Sequence, residues 1–417
     1  MDHTAPVDMW LESAAASFGT PSYVYFASAI ERRAALLREA FDGRFALSFA
    51  AKSNPNPAIL ALMKDQAEFL DVSSIGEFRS AVSVGWAPER ISFTGPGKRD
   101  FEIKEAIAGG IGELIVESVR EAIAADGFAR SLGLVQRVLI RIAPPSVPKG
   151  FGDQMAGRPS AFGIDWEDTP RDIPIIAALT NLQIVGMHIY SGTQCLKPEA
   201  ICENYRNFID IFRQIYASDL PRPEKLVFGS GLGIPYHDGD APLDLSAVVA
   251  GISDELDTLR SSSRFAETRL VLELGRYLIG EAGYFLTRVT SIKQSRGVRI
   301  GICDGGMNNH LPASGHFGMV MHRNYIMHKL GAGNRGGVEI SEKVNLVGPL
   351  CTSIDRLAIG IELPRIEEGD VVAVHNSGAY GLTASPIHFI SHAPAREVLI
   401  DRDGMSDVSY IGQPTPA

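Results

Sequence analysis

Eight short apolar runs, separated by stretches of helical periodicity, occupy residues 45–275 and constrain the fold more than any other feature of the sequence. They lie at 45–51, 68–72, 91–93, 113–117, 137–143, 184–190, 225–228 and 269–273. Most carry Val, Ile, Leu or Phe at both odd and even positions, as strands buried on both faces of a parallel sheet do. Amphipathic segments at 57–64, 76–84, 101–108, 117–130 and 199–217 provide crossovers between them. Eight strands with helical crossovers in about 230 residues fit an α/β fold of the (β/α)8 TIM-barrel type. A doubly wound open sheet is the alternative reading of the same alternation.

Beyond Gly275 the texture changes. Runs at 284–293, 298–303, 343–350, 370–375 and 397–401 read as strands divided by Gly, Pro and Asn turns. The expected organisation is therefore a barrel over 28–275 and a β-rich domain over 276–417, completed by the N-terminal segment 1–27. Asp plus Glu outnumber Lys plus Arg by 49 to 39, which argues against a nucleic-acid surface. No apolar run approaches the roughly 18 residues of a membrane span, and the start has no signal-like apolar core. A cytoplasmic protein without membrane association is expected. Cys195, Cys202, Cys303 and Cys351 show no Cys-x-x-Cys spacing, so neither a zinc site nor a disulfide framework is expected.

Polar residues and glycines gather at the ends of the barrel strands. Lys52 closes the first, Asp71 the second, and His188 and Tyr190 lie two apart, on one face of a later strand. Gly229-Ser230-Gly231-Leu232-Gly233 follows the next strand, and Glu273-Leu274-Gly275-Arg276 the last. In a barrel all of these meet at the C-terminal mouth, where such enzymes hold their sites. Singly, each has an ordinary explanation: a solvated lysine, a turn glycine, a surface ion pair. A lysine buried among apolar neighbours has a lowered pKa and becomes a nucleophile for carbonyls. A glycine loop can cradle a phosphate with its N–H groups. Together with a buried carboxylate for a ring nitrogen, these parts describe a pyridoxal 5'-phosphate site.

These residues resemble the fold-type III pyridoxal-phosphate decarboxylases, the family of diaminopimelate and ornithine decarboxylases, with motifs in family order from about Thr20 to Gly381. The resemblance implies Lys52 as the cofactor lysine, with Asp71 nearby. It implies Glu273 at the ring nitrogen, and Gly229, Ser230 (at a usual glycine), Gly231, Gly233, Arg276 and Tyr380 around the phosphate. His188, Tyr190 and Thr193 would border the cofactor, with Tyr190 replacing the family's stacked histidine. Gly348-Pro349-Leu350-Cys351-Thr352-Ser353-Ile354-Asp355 is similar to the family's cysteine motif, which implies that Cys351 enters the partner subunit's site in a homodimer. Thr352, Asp355, His322, Arg323 and Tyr325 would then border the substrate.

Thr352 stands where diaminopimelate and ornithine decarboxylases carry an acid for a distal ammonium. The Arg and Tyr spaced four apart that grip a distal carboxylate in diaminopimelate decarboxylases are absent from Met321-His322-Arg323-Asn324-Tyr325. Segments such as Asp304–His310 and Asn376–Gly381 resemble instead the subgroup containing the L-glutamyl-[acyl-carrier protein] decarboxylase. The expected activity is decarboxylation of an α-amino acid unit, carrier-bound or amide- or citryl-linked, in specialised metabolism. Diaminopimelate or another basic amino acid is the alternative substrate. A racemase and a non-catalytic regulatory relative are the alternative classes.

Overall fold

The eight apolar runs form a closed ring of parallel strands in the computed structural model, which describes residues 7–317, 322–332 and 340–411. The strands are Ala46–Ala50, Phe69–Val72, Ile91–Phe93, Glu113–Val116, Gln136–Ala143, Leu182–Ile189, Lys225–Gly229 and Arg269–Leu274. The last pairs in parallel with the first, Glu273 opposite Ser48, so the sheet is a barrel and not an open one. Helices fill the crossovers. Ser74 and Ser118 cap two of them, their hydroxyls accepting the N–H of Glu77 and Glu121. Those glutamates reach back to the N–H of Ser73 and Glu117, satisfying orphan donors at both helix starts.

Period two stacks the barrel interior in layers. Glu113, Arg137, Lys225 and Arg269 stand at the floor, where the buried Lys225–Glu113 pair meets at 2.7 Å. Two residues further along each strand, Ile115, Leu139, Val227 and Val271 pack with Val185 into an apolar ring. Two residues further again come Glu117, Arg141, Gly229 and Glu273 at the mouth. The register of Leu182–Ile189 shifts against Gln136–Ala143, with Val138 opposite Ile184 but Leu139 opposite Gly186. Val185 is the extra residue. This bulge lets Val185 join the apolar ring while His188, opposite Arg141, joins the mouth layer.

The second sheet takes its centre from the N-terminus. Ser22–Phe26 pairs antiparallel with Gly283–Ser295 and parallel with Arg396–Asp401. Val298–Cys303, Ser341–Val347 and Arg356–Pro364 extend it on one side, Gly404–Asp407 on the other, and Val371–Val374 pairs with Gly283–Ser295. Residues 1–6, 318–321, 333–339 and 412–417 of the expected β-rich domain and its N-terminal completion lie outside the described residues. No helix among the described residues is long and apolar enough to cross a membrane.

Candidate active site

The first strand ends at Ala50, and Lys52 lies two residues further, on the 3-10 turn Ala51–Ser53. Ser53 Oγ donates to the Ala50 carbonyl at 2.8 Å and closes this turn. The Lys52 ammonium stands 5.5 Å from the centre of the Tyr190 ring. Burial draws its pKa down, but Tyr380, Tyr190, Glu273 and Asp71 outweigh burial, and the net shift is upward. This direction is opposite to the lowering that a lysine buried among apolar neighbours would show.

Those neighbours are buried. Asp71, 1% exposed, accepts from Ser92 Oγ at 3.1 Å and from the Thr94 hydroxyl. Burial, reinforced by Glu273, pushes its carboxyl up to about 7. Glu273 lies 3.2 Å from His188 Nε2. Burial raises its pKa against the opposing pull of Lys52 and Arg141. His188 is wholly buried, and desolvation with the Arg141 charge pushes it down to about 3. Behind them Arg141 Nη1 donates to both Glu117 oxygens at 3.1 Å, and the Gly95 and Gly163 N–H groups complete that carboxylate's partners.

The glycine loop packs against Tyr190. A methyl group built on Gly229 would come within 2.4 Å of the Tyr190 ring, and one on Gly231, at φ +68°, within 2.4 Å of Phe151. The Ser230 N–H donates to the Glu273 carbonyl at 3.0 Å and the Gly233 N–H to Cys195 O at 2.9 Å. These two donors are engaged within the fold. Thr193 pairs with Asp153 in a short antiparallel bridge over the same mouth.

The β-rich sheet supplies the facing wall. Tyr380, at φ +54°, donates its N–H to Ser53 O at 2.7 Å, and Asn54 Nδ2 donates to Gly378 O at 3.1 Å. Arg276 stacks its guanidinium over the rings of Tyr380 and Tyr236, at 4.8 and 5.4 Å, and donates to the Tyr236 hydroxyl at 2.6 Å. Tyr325 packs against Tyr236 at 4.9 Å.

The remaining expected residues stand apart from this group. Cys351 is exposed on the loop after Ser341–Val347, and Thr352 beside it is half-buried. Asp355 is corrected from a substrate-bordering residue to a loop brace: it is 2% exposed, and its two oxygens accept the N–H groups of Met307 and Leu350 at 2.6 and 2.8 Å. Arg323 pairs with Asp240 at 2.8 Å, and His322 packs against Gly315. Sequence reasoning missed Glu117, Arg141, Thr94 and Tyr236. Glu117 obeyed the rule that picked out Asp71, a carboxylate closing an apolar run, whereas Arg141 stood inside its run and carried no such mark.

The profile described as "Pyridoxal-dependent decarboxylase, pyridoxal binding domain" matches residues 27–280. The chain belongs to the pyridoxal-dependent decarboxylases. Among its relatives, the L-glutamyl-[BtrI acyl-carrier protein] decarboxylase of Niallia circulans is 34% identical over 92% of this chain and 89% of its own. A diaminopimelate decarboxylase of Methanothermobacter thermautotrophicus is 32% identical over 94% and 89%. The crystal structure of Helicobacter pylori diaminopimelate decarboxylase complexed with L-lysine superposes with a TM-score of 0.82, at 28% identity over 95% of each chain. The protein is accordingly a pyridoxal-phosphate-dependent amino-acid decarboxylase, a lyase. Its mouth suits the cofactor: Asp71 Oδ2, His188 Nδ1 and Arg276 Nε are buried without a hydrogen-bond partner among the described residues, beside a lysine amine and a buried carboxylate.

Proposed function

We propose that this decarboxylase acts on an amino acid attached to a larger group, such as a carrier-protein thioester or an amide, rather than on a free diamino acid. Pyridoxal phosphate, when bound, supplies an electron sink for the pair left behind as CO₂ departs. Lys52 holds the cofactor covalently through its amine. Glu273 keeps a proton on the ring nitrogen, and Tyr190 offers an aromatic face. Arg276 and Tyr380, with Gly231 of the loop, bind the phosphate. The partner subunit's Cys351 delivers a proton to Cα, an acid contribution of typically 10²–10⁴ in rate. The exposure of Cys351 supports a role outside its own barrel, as do the apolar neighbours on that face, Phe317 and Ile354, which are 44% and 42% exposed.

One observation carries the substrate reading: the groups that would neutralise a free distal charge are absent or engaged. Thr352 is neutral, Asp355 is bound to backbone N–H groups, and Arg323 is paired with Asp240. A buried distal charge left unpaired costs about 2–5 kcal/mol. The likeness to the L-glutamyl-[BtrI acyl-carrier protein] decarboxylase agrees with this reading, while the diaminopimelate decarboxylases at 30–32% identity favour diaminopimelate as the second. CO₂ release measured from meso-diaminopimelate, free glutamate, a glutamyl thioester of a carrier protein and an amide-linked amino acid separates them. Turnover of a conjugate with little from diaminopimelate is expected; efficient turnover of diaminopimelate overturns the proposal.

A further inference from the structure

His188 and Glu273 lie on strands separated only by Lys225–Gly229, so they share one layer of the barrel interior. Their Nε2 and Oε2 atoms are 3.2 Å apart, with side chains 0% and 2% exposed. His188 Nδ1 is buried without a partner among the described residues. Arg141, opposite His188 in the ladder, directs its guanidinium to Glu117 and to the Tyr190 carbonyl. These contacts assign the proton. An imidazolium would need acceptors at both nitrogens, and burial, the Arg141 guanidinium and Lys52 oppose it against the pull of Asp71 and Glu117. A neutral ring protonated at Nε2 donates to Glu273 and leaves only an acceptor unpaired.

We propose that His188 is a positioning residue for Glu273: its Nε2–H engages Oε2, favours the ionised carboxylate and leaves Oε1 for the cofactor's ring nitrogen. The neutrality of the donor matters. Burial pushes Glu273 towards its protonated form, in which it cannot hold a proton on the ring nitrogen. A second cation at this position would restore the carboxylate but repel the protonated ring. A neutral imidazole stabilises the carboxylate without that repulsion. The bulge at Val185 is what aims His188 into this layer. The proposal rests on the ring-nitrogen role of Glu273.

The test uses holoenzymes carrying pyridoxal phosphate labelled with ¹⁵N in the ring: wild type, His188→Gln, His188→Met and Glu273→Gln. Gln and Met have similar volumes, so any packing loss is common to both, and only Gln keeps a donor. The ring-nitrogen chemical shift is followed with pH, and cofactor dissociation constants are taken from absorbance titrations. Wild type and His188→Gln are expected to hold the protonated-nitrogen shift over the same pH range. His188→Met should lose it at lower pH and bind cofactor about tenfold more weakly, the scale of one charge-assisted hydrogen bond. Equal behaviour of the Gln and Met variants overturns the proposal while leaving Glu273 in place, provided Glu273→Gln still deprotonates the ring. A ring that stays protonated in Glu273→Gln removes the ring-nitrogen role itself, and this proposal with it.

Discussion

At the residue scale, Lys52 is governed by what faces it more than by its burial. An apolar strand end suggests a desolvated, easily deprotonated amine, yet the barrel mouth sets Tyr380, Tyr190, Glu273 and Asp71 around it and its pKa rises. The lysine's identity and place were legible in sequence. Its electrostatics were not, because the opposing carboxylates come from strands 19 or more residues away. Lys52→Ala is expected to abolish covalent cofactor attachment: borohydride reduction and peptide mapping should find the pyridoxyl label on Lys52 in the wild type and on no lysine in the variant. Glu273→Gln should retain cofactor while CO₂ release falls by about 10²-fold or more, as when a preorganised electrostatic partner is removed. Near-normal turnover would count against the ring-nitrogen role.

At the element scale, strands were read more completely than helices. Burial on both faces leaves an unbroken apolar signature, and all eight barrel strands appear within two residues of their expected bounds. Helices Ala27–Ala40, Thr169–Ala177 and Leu245–Ser261 escaped notice. Thr169–Ala177 includes Pro170 and Pro174, which read as breakers. Strands Ser22–Phe26 and Arg356–Pro364 were missed as well, the latter interrupted by Gly360. The loop after Lys225–Gly229 was legible as glycine-rich, but its purpose differs by position: Gly229 makes room for Tyr190, while Gly233 closes a backbone bond to Cys195. Gly229→Ala is therefore expected to displace the Tyr190 ring and cost about 1–3 kcal/mol of stability, as overpacking does. Thermal unfolding would register the loss, and cofactor affinity should fall in parallel. An unchanged affinity would show that the Tyr190 ring does not border the cofactor.

At the scale of the whole molecule, the β-rich sheet holds a buried acid between two of its own strands. Glu397, 1% exposed, accepts from the Tyr25 hydroxyl at 3.0 Å, and its other oxygen has no partner among the described residues. Nearby, Asn56 at the start of a barrel helix donates to Val408 O in the β-rich part. Burial pushes the Glu397 carboxyl up to about 7. Between about pH 4.5 and 7 the unfolded chain has lost this proton and the folded chain retains it. Stability from this group is therefore present at low pH and declines as pH rises through that window, by on the order of 3 kcal/mol. Glu397→Gln should reduce that slope in denaturant titrations across pH, leaving the share of Asp71, which is also pushed up to about 7; an unaltered slope would place the titration elsewhere. Assembly gives a second prediction. If Cys351 serves the partner's site, mixing inactive Lys52→Ala and Cys351→Ala chains should restore roughly a quarter of wild-type activity, since about half the exchanged dimers hold one complete site. Confirmed exchange without recovered activity would refute sharing.

Periodicity and strand-end chemistry by themselves determined the barrel, its β-rich companion and most of the residues at the mouth, because both-face burial and position along a strand are local properties. Ring closure, the Val185 bulge and the docking of the second sheet decided the rest. Closure turned Asp71, His188 and Glu273, distant in sequence, into one coupled layer. The bulge chose which face His188 takes. Docking brought Tyr380 onto Arg276, and packing within the β-rich part turned Asp355 into a loop brace. Each depends on which strands become neighbours in space, and a single strand's pattern carries no record of its neighbours.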